Sequence, residues 1–271
     1  MQKKCPDIRI PHLYGFGFSE PLSAKYCHFT HEGQRPFYVR LARMFQRYLH
    51  DLFGYPVLSH YSFNPTTHQL PAAYMILEHI GPDVGRELAC TWTKQREDPA
   101  RRQRLFRGMA RLILSLARIP QSRIGSFRFN NDCTITLTNR PLICSMIILE
   151  NDGTPRTINE KDTYMCTEAF VADMLSLHEN RFLSNLNAVI DEYDCRTQMA
   201  DQTFLRALSH NYIKRERRNG PFLLQLTDFH ASNIFVDEDW NITCLIDLEW
   251  MCFLPAEMID VPYWVTGCPI Y

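Results

Sequence analysis

The chain has 271 residues, of which 45% are hydrophobic and 22% are charged, so it can build an ordinary apolar core in one large domain or two small ones. Its formal net charge of −1 argues against a nucleic acid as the main partner. Ten cysteines occur without a Cys-x-x-Cys pair, and Met1 is not followed by a signal-type leader or by an apolar run of about 18 residues. The sequence therefore favours a soluble cytoplasmic protein with no zinc framework and no membrane span.

The first part of the chain predicts mixed strand and helix. Within residues 37–53, apolar side chains such as Leu41, Phe45 and Leu52 recur at helical spacing, which predicts a helix. Residues 73–80 then form an apolar run that ends at a Gly-Pro pair, which is typical of a strand followed by a turn.

The middle of the chain predicts helices that surround a short pair of strands. Residues 102–119 carry one apolar stripe with arginines elsewhere, and Pro120 ends this helix. Residues 124–137 predict two short strands joined by a polar turn. Two further helices are predicted at residues 163–178 and 202–213.

A β-hairpin is predicted near the C-terminal end. Strand-like runs at residues 234–236 and 242–246 flank a polar turn at residues 237–241. If Val236 pairs with Ile242, side chains alternate so that one face is wholly apolar. That face would carry Ile234, Val236, Ile242, Cys244 and Ile246.

The opposite face of this hairpin would present Asn233 and Asp247, as diagonal neighbours roughly 7–8 Å apart at the backbone. Asp228 precedes Asn233 on a loop that can fold back over them. Each residue alone is also a common turn or capping residue. Together they favour phosphoryl transfer, which needs a carboxylate to orient the attacking hydroxyl and two oxygen ligands to hold magnesium.

On these residues the chain resembles the aminoglycoside phosphotransferase and choline kinase group, relatives of the protein kinases. Their catalytic loop commonly reads His-Gly-Asp-x-x-x-x-Asn, and their strand pair ends in Ile-Asp-Trp-Glu. The matching positions are Asp228, Asn233, Ile246, Asp247 and Glu249. Leu226-Thr227 stand in place of His-Gly and Leu248 in place of Trp, as is usual in fungal proteins of this family. The resemblance spans nearly the whole chain, including residues 123–127, 139–142, 219–222 and 262–264.

The resemblance implies an α+β, protein-kinase-like fold. Residues 1–80 would form a partial N-lobe and hinge with a helical insertion, and residues 81–271 a mostly helical C-lobe with the catalytic hairpin. It implies ATP and Mg²⁺ as cofactors and a small-molecule hydroxyl as acceptor. Asp228 would be the catalytic base, and Asn233 and Asp247 the metal ligands. Main-chain groups near Glu78 and Ile80 would contact the adenine ring.

A kinase of this type also uses an N-lobe lysine, a glutamate paired with it, and a loop that covers the nucleotide. Few residues precede the strand that contains Gly15-Phe16-Gly17, and Lys25 is the lysine nearest to a predicted N-terminal strand. We therefore expect a chain shortened at both ends relative to the family, with impaired phosphotransfer. The alternatives are a non-catalytic kinase-like binding or scaffold protein and, with fewer matching ligands, a metal-dependent hydrolase.

Overall fold

The computed structural model describes residues 5–19, 26–64 and 72–266. It is a mixed α and β structure with small antiparallel sheets, which confirms the expected class at that level. The chain forms two compact units. The smaller unit comprises Ile10–Gly85 and Phe127–Thr136, and the larger one comprises the described residues of Met1–Arg9, Arg86–Ser126 and Leu137–Tyr271.

The helices and strands are numbered in chain order. The helices are α1 (Phe37–Phe53), α2 (Ala89–Gln95), α3 (Pro99–Ala117), α4 (Cys144–Asn151), α5 (Thr167–Ser184), α6 (Glu192–Tyr212) and α7 (Tyr263–Thr266). The strands are β1 (Leu13–Ser19), β2 (Tyr26–His31), β3 (Val57–Leu58), β4 (Tyr61–Phe63), β5 (Tyr74–Leu77), β6 (Arg86–Glu87), β7 (Pro120–Gln121), β8 (Ser126–Phe129), β9 (Thr134–Asn139), β10 (Phe222–Leu226), β11 (Ile234–Val236), β12 (Ile242–Leu245) and β13 (Met251–Leu254). No helix in the described ranges is both long enough and apolar enough to cross a membrane.

The smaller unit is built around an antiparallel sheet with the strand order β4-β2-β1-β5. Because side chains alternate along a strand, Phe16 of β1 lies on one face and Gly17 on the other. Phe16 packs against Phe29, which is fully buried, and against Phe129. On the other face the ring of Tyr74 occupies the space beside Gly17, where an added Cβ would lie 2.5 Å from it.

Helix α1 of the smaller unit covers residues 37–53, as predicted, because both of its ends carry local stop signals. Pro36 precedes its first turn, and Gly54 ends it in the left-handed conformation with φ 67°. Several of its contacts to the rest of the unit are hydrogen bonds. Arg43 Nη2 donates to the carbonyls of Ser59 and Tyr61 at 2.9 and 3.0 Å.

The larger unit is organised around α3, whose apolar stripe is buried as the sequence predicts. The helix begins at Pro99, because the Asp98 carboxylate accepts from the Ala100 N–H at 2.9 Å. Gly108 lets α3 approach β12 closely, since an added Cβ would lie 3.1 Å from Ile242 Cδ1. Around α3 lie two three-stranded sheets, with the orders β13-β10-β7 and β12-β11-β6.

Most of the remaining predicted elements exist with shifted bounds. The helices predicted at 163–178 and 202–213 correspond to α5 and α6, and the predicted strand pair corresponds to β8 and β9. Helix α6 begins ten residues earlier than predicted, at Glu192, because Asp191 caps it by accepting from the Asp194 N–H at 2.8 Å. Helices α2 and α4 were not predicted, since each is only two turns long and lacks a clear apolar period.

Candidate functional site

The predicted hairpin exists as β11 and β12, paired antiparallel in the larger unit. Val236 pairs with Ile242, as expected. The turn between the strands is stabilised by Asp237, whose Oδ1 accepts from the Asp239 N–H at 3.0 Å and from the Asn241 N–H at 2.9 Å. Trp240 completes the turn with φ 65° and is buried.

The predicted register of the hairpin is wrong beyond its first pair. A β-bulge shifts the pairing, so that Phe235 lies opposite Cys244 and Ile234 lies opposite Leu245. The extra residue on β12 is Thr243, and it breaks the strict alternation on which the predicted faces depended. Cys244 and Leu245 are consequently both buried, although the prediction placed them on opposite faces.

Asp247 owes its position to the backbone after β12 and not to strand alternation. It has φ 59°, a left-handed conformation that aspartate tolerates better than most residues. Its carboxyl group is hydrogen-bonded to that of Glu249. Burial raises the pKa of Glu249, and the hydrogen bond to Asp247 and the charges of Asp247 and Asp228 raise that pKa further.

Asp228 and Asn233 are in direct contact. Asn233 lies at the end of a short 3₁₀ turn, Ala231–Asn233, and is buried. Its Nδ2 donates to the backbone carbonyl of Asp228 at 3.2 Å and to Asp228 Oδ2 at 3.4 Å. The predicted base and one predicted ligand are therefore brought together by the fold of their own loop.

The negative charges of Asp228 and Glu249 both act on the Cys144 thiol. Burial raises the pKa of Cys144, and the charges of Asp228 and Glu249 raise it further. Asp228 and Glu249 therefore both lie near Cys144, and the Ile246 N–H donates to the Asn233 carbonyl at 3.0 Å, which brings the segment before Asp247 beside Asn233. Across the described ranges, however, no group of three or more histidine, cysteine, aspartate or glutamate side chains is arranged to hold a metal ion.

Two residues outside the predicted set position the Asp228 loop. Trp264 Nε1 donates to the Phe229 carbonyl at 2.8 Å, and the Thr227 N–H donates to the Trp250 carbonyl at 3.0 Å. The Thr227 hydroxyl also accepts from the Cys144 N–H at 3.1 Å. In the sequence, both positions were noted only within the resemblance, Thr227 as a departure from its motif and Trp264 within residues 262–264.

A cavity of about 430 Å³ opens beside Asp228 in the larger unit. Its walls come from α3, α5, β10, the Asp228 loop and residues 258–263. Most of its lining side chains are apolar, including Leu112, Leu116, Phe170, Met174, Leu224 and Ile259. Its size falls within the range of about 300–1,000 Å³ that is typical of small-molecule sites.

The predicted adenine contacts lie in the smaller unit. The Glu78 N–H donates to the His12 carbonyl at 2.8 Å, and Glu78 Oε2 accepts from the His12 N–H at 3.0 Å. Ile80 follows β5 in a segment without regular structure. Lys25, the lysine nearest to a predicted N-terminal strand, lies outside the described residues.

Comparisons of the chain with protein-family models, with curated proteins and with solved structures found no match. The kinase-like interpretation therefore depends on the motif residues and on the local geometry of the larger unit.

Proposed function

We propose that this protein is an ATP- and magnesium-dependent phosphotransferase with a protein-kinase-like fold, which acts on a small-molecule hydroxyl. The observation that carries the proposal is the contact between Asn233 and Asp228. One amide binds both the backbone carbonyl and the carboxylate of the residue that would act as base. This contact aligns two groups that phosphoryl transfer uses for different purposes.

The donor set suits magnesium, which prefers oxygen ligands and keeps several waters and substrate oxygens in its shell. Asn233 offers an amide oxygen and Asp247 a carboxylate, and Asp247 already lies against the Glu249 carboxyl group. A divalent cation would relieve the repulsion between these acids. Bound there, magnesium would neutralise charge on the nucleotide phosphates.

Asp228 would orient the acceptor hydroxyl and receive its proton. The hydroxyl oxygen forms a bond to the γ-phosphorus of ATP while the bond from that phosphorus to the β–γ bridging oxygen breaks. ADP leaves with the electron pair of that bond, and the products are ADP and a phosphate monoester. The Trp264 and Thr227 hydrogen bonds would keep the Asp228 loop in place during this step.

The second candidate is a non-catalytic binding or scaffold protein. One observation favours it: none of the described residues of the smaller unit is a lysine. Without a positioned lysine, a kinase-like site loses an electrostatic contribution of typically several kcal/mol to the barrier. With no lysine at the site, nucleotide binding should be weak and transfer slow.

A thermal-shift titration with magnesium and ATP separates the two functions. If the protein is a phosphotransferase, we expect a small saturable rise in Tm that requires both magnesium and nucleotide. A ligand at about ten times its Kd stabilises the folded protein by about 1.4 kcal/mol. Asp247→Asn should abolish the rise, and Asp239→Asn, on the exposed hairpin turn, should retain it. No saturable rise in the wild-type protein, or an equal rise in Asp247→Asn, would support the scaffold function instead.

A further inference from the structure

The cavity beside Asp228 has an apolar lining and few polar groups that remain available to a ligand. Gln225 Nε2 donates to the Pro255 carbonyl at 2.9 Å, and Asp260 Oδ1 accepts from the Val261 N–H at 2.7 Å. His230 Nδ1 lies 3.0 Å from Ser232 Oγ. Thr227 is held by Trp250 and Cys144. Each of these lining groups already has a partner within the chain.

Asp228 differs from these four residues in how weakly its side chain is bonded. The hydrogen bond that its carboxylate accepts within the larger unit is the 3.4 Å contact from Asn233, which is long for a charged acceptor. Its remaining acceptor positions are therefore available at the edge of an apolar cavity. A ligand hydroxyl placed there would donate to Asp228, while the body of the ligand would lie against leucine, phenylalanine and methionine side chains.

We propose that this cavity is the acceptor site, and that the acceptor is an apolar molecule with a single reactive hydroxyl. The proposal rests on the phosphotransferase function above and adds the substrate class to it. A cationic amino sugar should not bind in this cavity, because burying its ammonium groups would require several paired carboxylates. The cavity lining contains two carboxylates, Asp228 and Asp260, which are fewer than several ammonium groups would need.

The test uses 1-octanol as the probe and measures binding without nucleotide, by thermal shift and by ligand-detected NMR. We expect saturable binding to the wild-type protein and no competition from glucosamine. Met174→Trp, which fills the cavity from α5, should weaken octanol binding at least tenfold. Met199→Trp, on the exposed side of α6, is the matched control and should bind as the wild type does.

Equal octanol binding by Met174→Trp and the wild type, or displacement of octanol by glucosamine, would overturn the acceptor proposal. Because nucleotide is absent, the result is independent of phosphoryl transfer. Octanol binding without a magnesium–ATP shift would reject the phosphotransferase function and leave an apolar ligand site. A magnesium–ATP shift without octanol binding would retain the phosphotransferase function and reject the apolar acceptor.

A second and independent inference concerns α1, which turns its polar side toward its own unit. Arg47 Nη1 donates to Glu32 Oε2 at 2.6 Å, Arg43 binds two carbonyls, and His50 Nδ1 lies 2.8 Å from the Pro56 carbonyl. The apolar side is exposed, and no residue of the helix is buried. The exposed stripe consists of Phe37, Leu41, Met44, Phe45, Tyr48 and Leu52.

This arrangement is the reverse of an ordinary surface helix, which buries its apolar stripe. The side chains of the stripe are 49–75% exposed and together present on the order of 700 Å². That area is close to the roughly 800 Å² that each partner contributes to a standard protein interface. Exposed apolar patches of this size commonly mark interaction sites.

The charges beside the stripe indicate which partner fits it. Arg40 and Asp51 are both exposed, and neither forms a salt bridge with the described residues. At about 100° per residue, their separation of eleven positions places them on the same flank of α1, and their midpoint lies within one residue of the centre of the helix. In an antiparallel pair of α1 helices related by a two-fold axis, each Arg40 would therefore lie beside the Asp51 of the other copy.

We infer that the exposed stripe of α1 binds a second copy of this chain as an antiparallel helix pair. Sedimentation equilibrium should show a dimer for the wild-type protein at micromolar concentrations. Arg40→Asp places two acids together at both ends of the pair and should weaken dimerisation at least tenfold. The double variant Arg40→Asp with Asp51→Arg restores both pairs and should dimerise as the wild type does.

Arg111→Asp, at an exposed position of α3, is the control for a general effect of charge and should leave the dimer intact. A monomeric wild-type protein, or a double variant that dimerises no better than Arg40→Asp, would overturn the inference. Tyr48→Lys should also produce a monomer with unchanged Tm at low protein concentration, because its side chain is exposed in the single chain.

Discussion

The indole of Trp264 and the carbonyl of Phe229 form a hydrogen bond of 2.8 Å that joins α7 to the loop of Asp228. The Trp264 ring meets Trp92 of α2 edge-on, with ring centroids 4.9 Å apart. Trp92 in turn stacks on Trp240 in the hairpin turn at 5.4 Å. Three indoles thus connect the loop that carries the proposed base to the hairpin that precedes Asp247.

Removing the indole donor should loosen the Asp228 loop. We expect Trp264→Phe to lower the free energy of unfolding by about 1 kcal/mol, because one neutral hydrogen bond is lost while the aromatic contact with Trp92 is kept. Urea denaturation followed by circular dichroism measures this. Tyr263→Phe, one position earlier in α7, is the control, and an equal loss in both variants would contradict a specific role for the indole.

Asp247→Asn should stabilise the protein in the absence of ligands. The substitution removes a negative charge that lies against Glu249, and asparagine tolerates the left-handed backbone at this position as well as aspartate does. We expect a higher Tm without magnesium and no further rise when magnesium and ATP are added. Asp247→Ala separates the two effects, since it removes the charge but strains the backbone. A lower ligand-free Tm in Asp247→Asn would contradict the repulsion.

The buried ion pair of Arg140 with Glu150 should be costly to break. Arg140 Nη1 donates to Glu150 Oε1 at 2.5 Å and Nη2 donates to Oε2 at 2.8 Å, and both side chains are less than 10% exposed. Glu150→Leu leaves a buried guanidinium unpaired and should cost about 3–5 kcal/mol in urea denaturation.

The double variant, Arg140→Met with Glu150→Leu, should recover most of that loss, because it leaves no buried charge unpaired. Arg196→Met, which breaks the exposed pair of Arg196 with Glu192, should change stability little. A double variant as unstable as Glu150→Leu alone would show that packing, and not charge pairing, decides stability at this position.

The carboxylate of Glu32 should make stability depend on pH in the acid range. Burial by itself raises the pKa of Glu32, but the hydrogen bonds and charges of Arg47 and His60 outweigh burial and hold the pKa below its usual value. The folded pKa is therefore lower than the unfolded one. The stabilisation is complete above the unfolded pKa of about 4.3 and is lost as the pH falls through the folded pKa.

Urea denaturation at a series of pH values between about 6 and 3 measures this contribution. Glu32→Gln has no titrating group at this position, so its stability should fall less steeply with decreasing pH than that of the wild type. Glu160→Gln, which removes an exposed acid of the larger unit, is the control and should follow the wild-type curve. Parallel curves for Glu32→Gln and the wild type would contradict the lowered pKa.

Local signals account for the elements that the sequence predicted well. The bounds of α1 follow from Pro36 and Gly54, and the existence of the hairpin follows from two apolar runs around an acidic turn. The bulge at Thr243 could not be predicted in this way. It lets Cys244 and Leu245 both become buried, and that depends on core residues distant in sequence. The inward polar side of α1 was likewise unpredictable, because its partners lie on other segments, Glu32 and the carbonyls of Ser59 and Tyr61.

The sequence alone determined which side chains were available for chemistry. It also placed Asn233 and Asp247 on one predicted β-hairpin and Asp228 on the loop before it. Spacing, alternation and end-capping act over a few residues, so they can be recognised without coordinates. Only the tertiary structure decided how these groups meet. The Asn233 amide binds Asp228, the Asp247 carboxyl turns toward Glu249, and Trp264 holds the loop from α7. Such contacts join segments whose approach is set by the packing of the whole unit, which a local pattern does not encode.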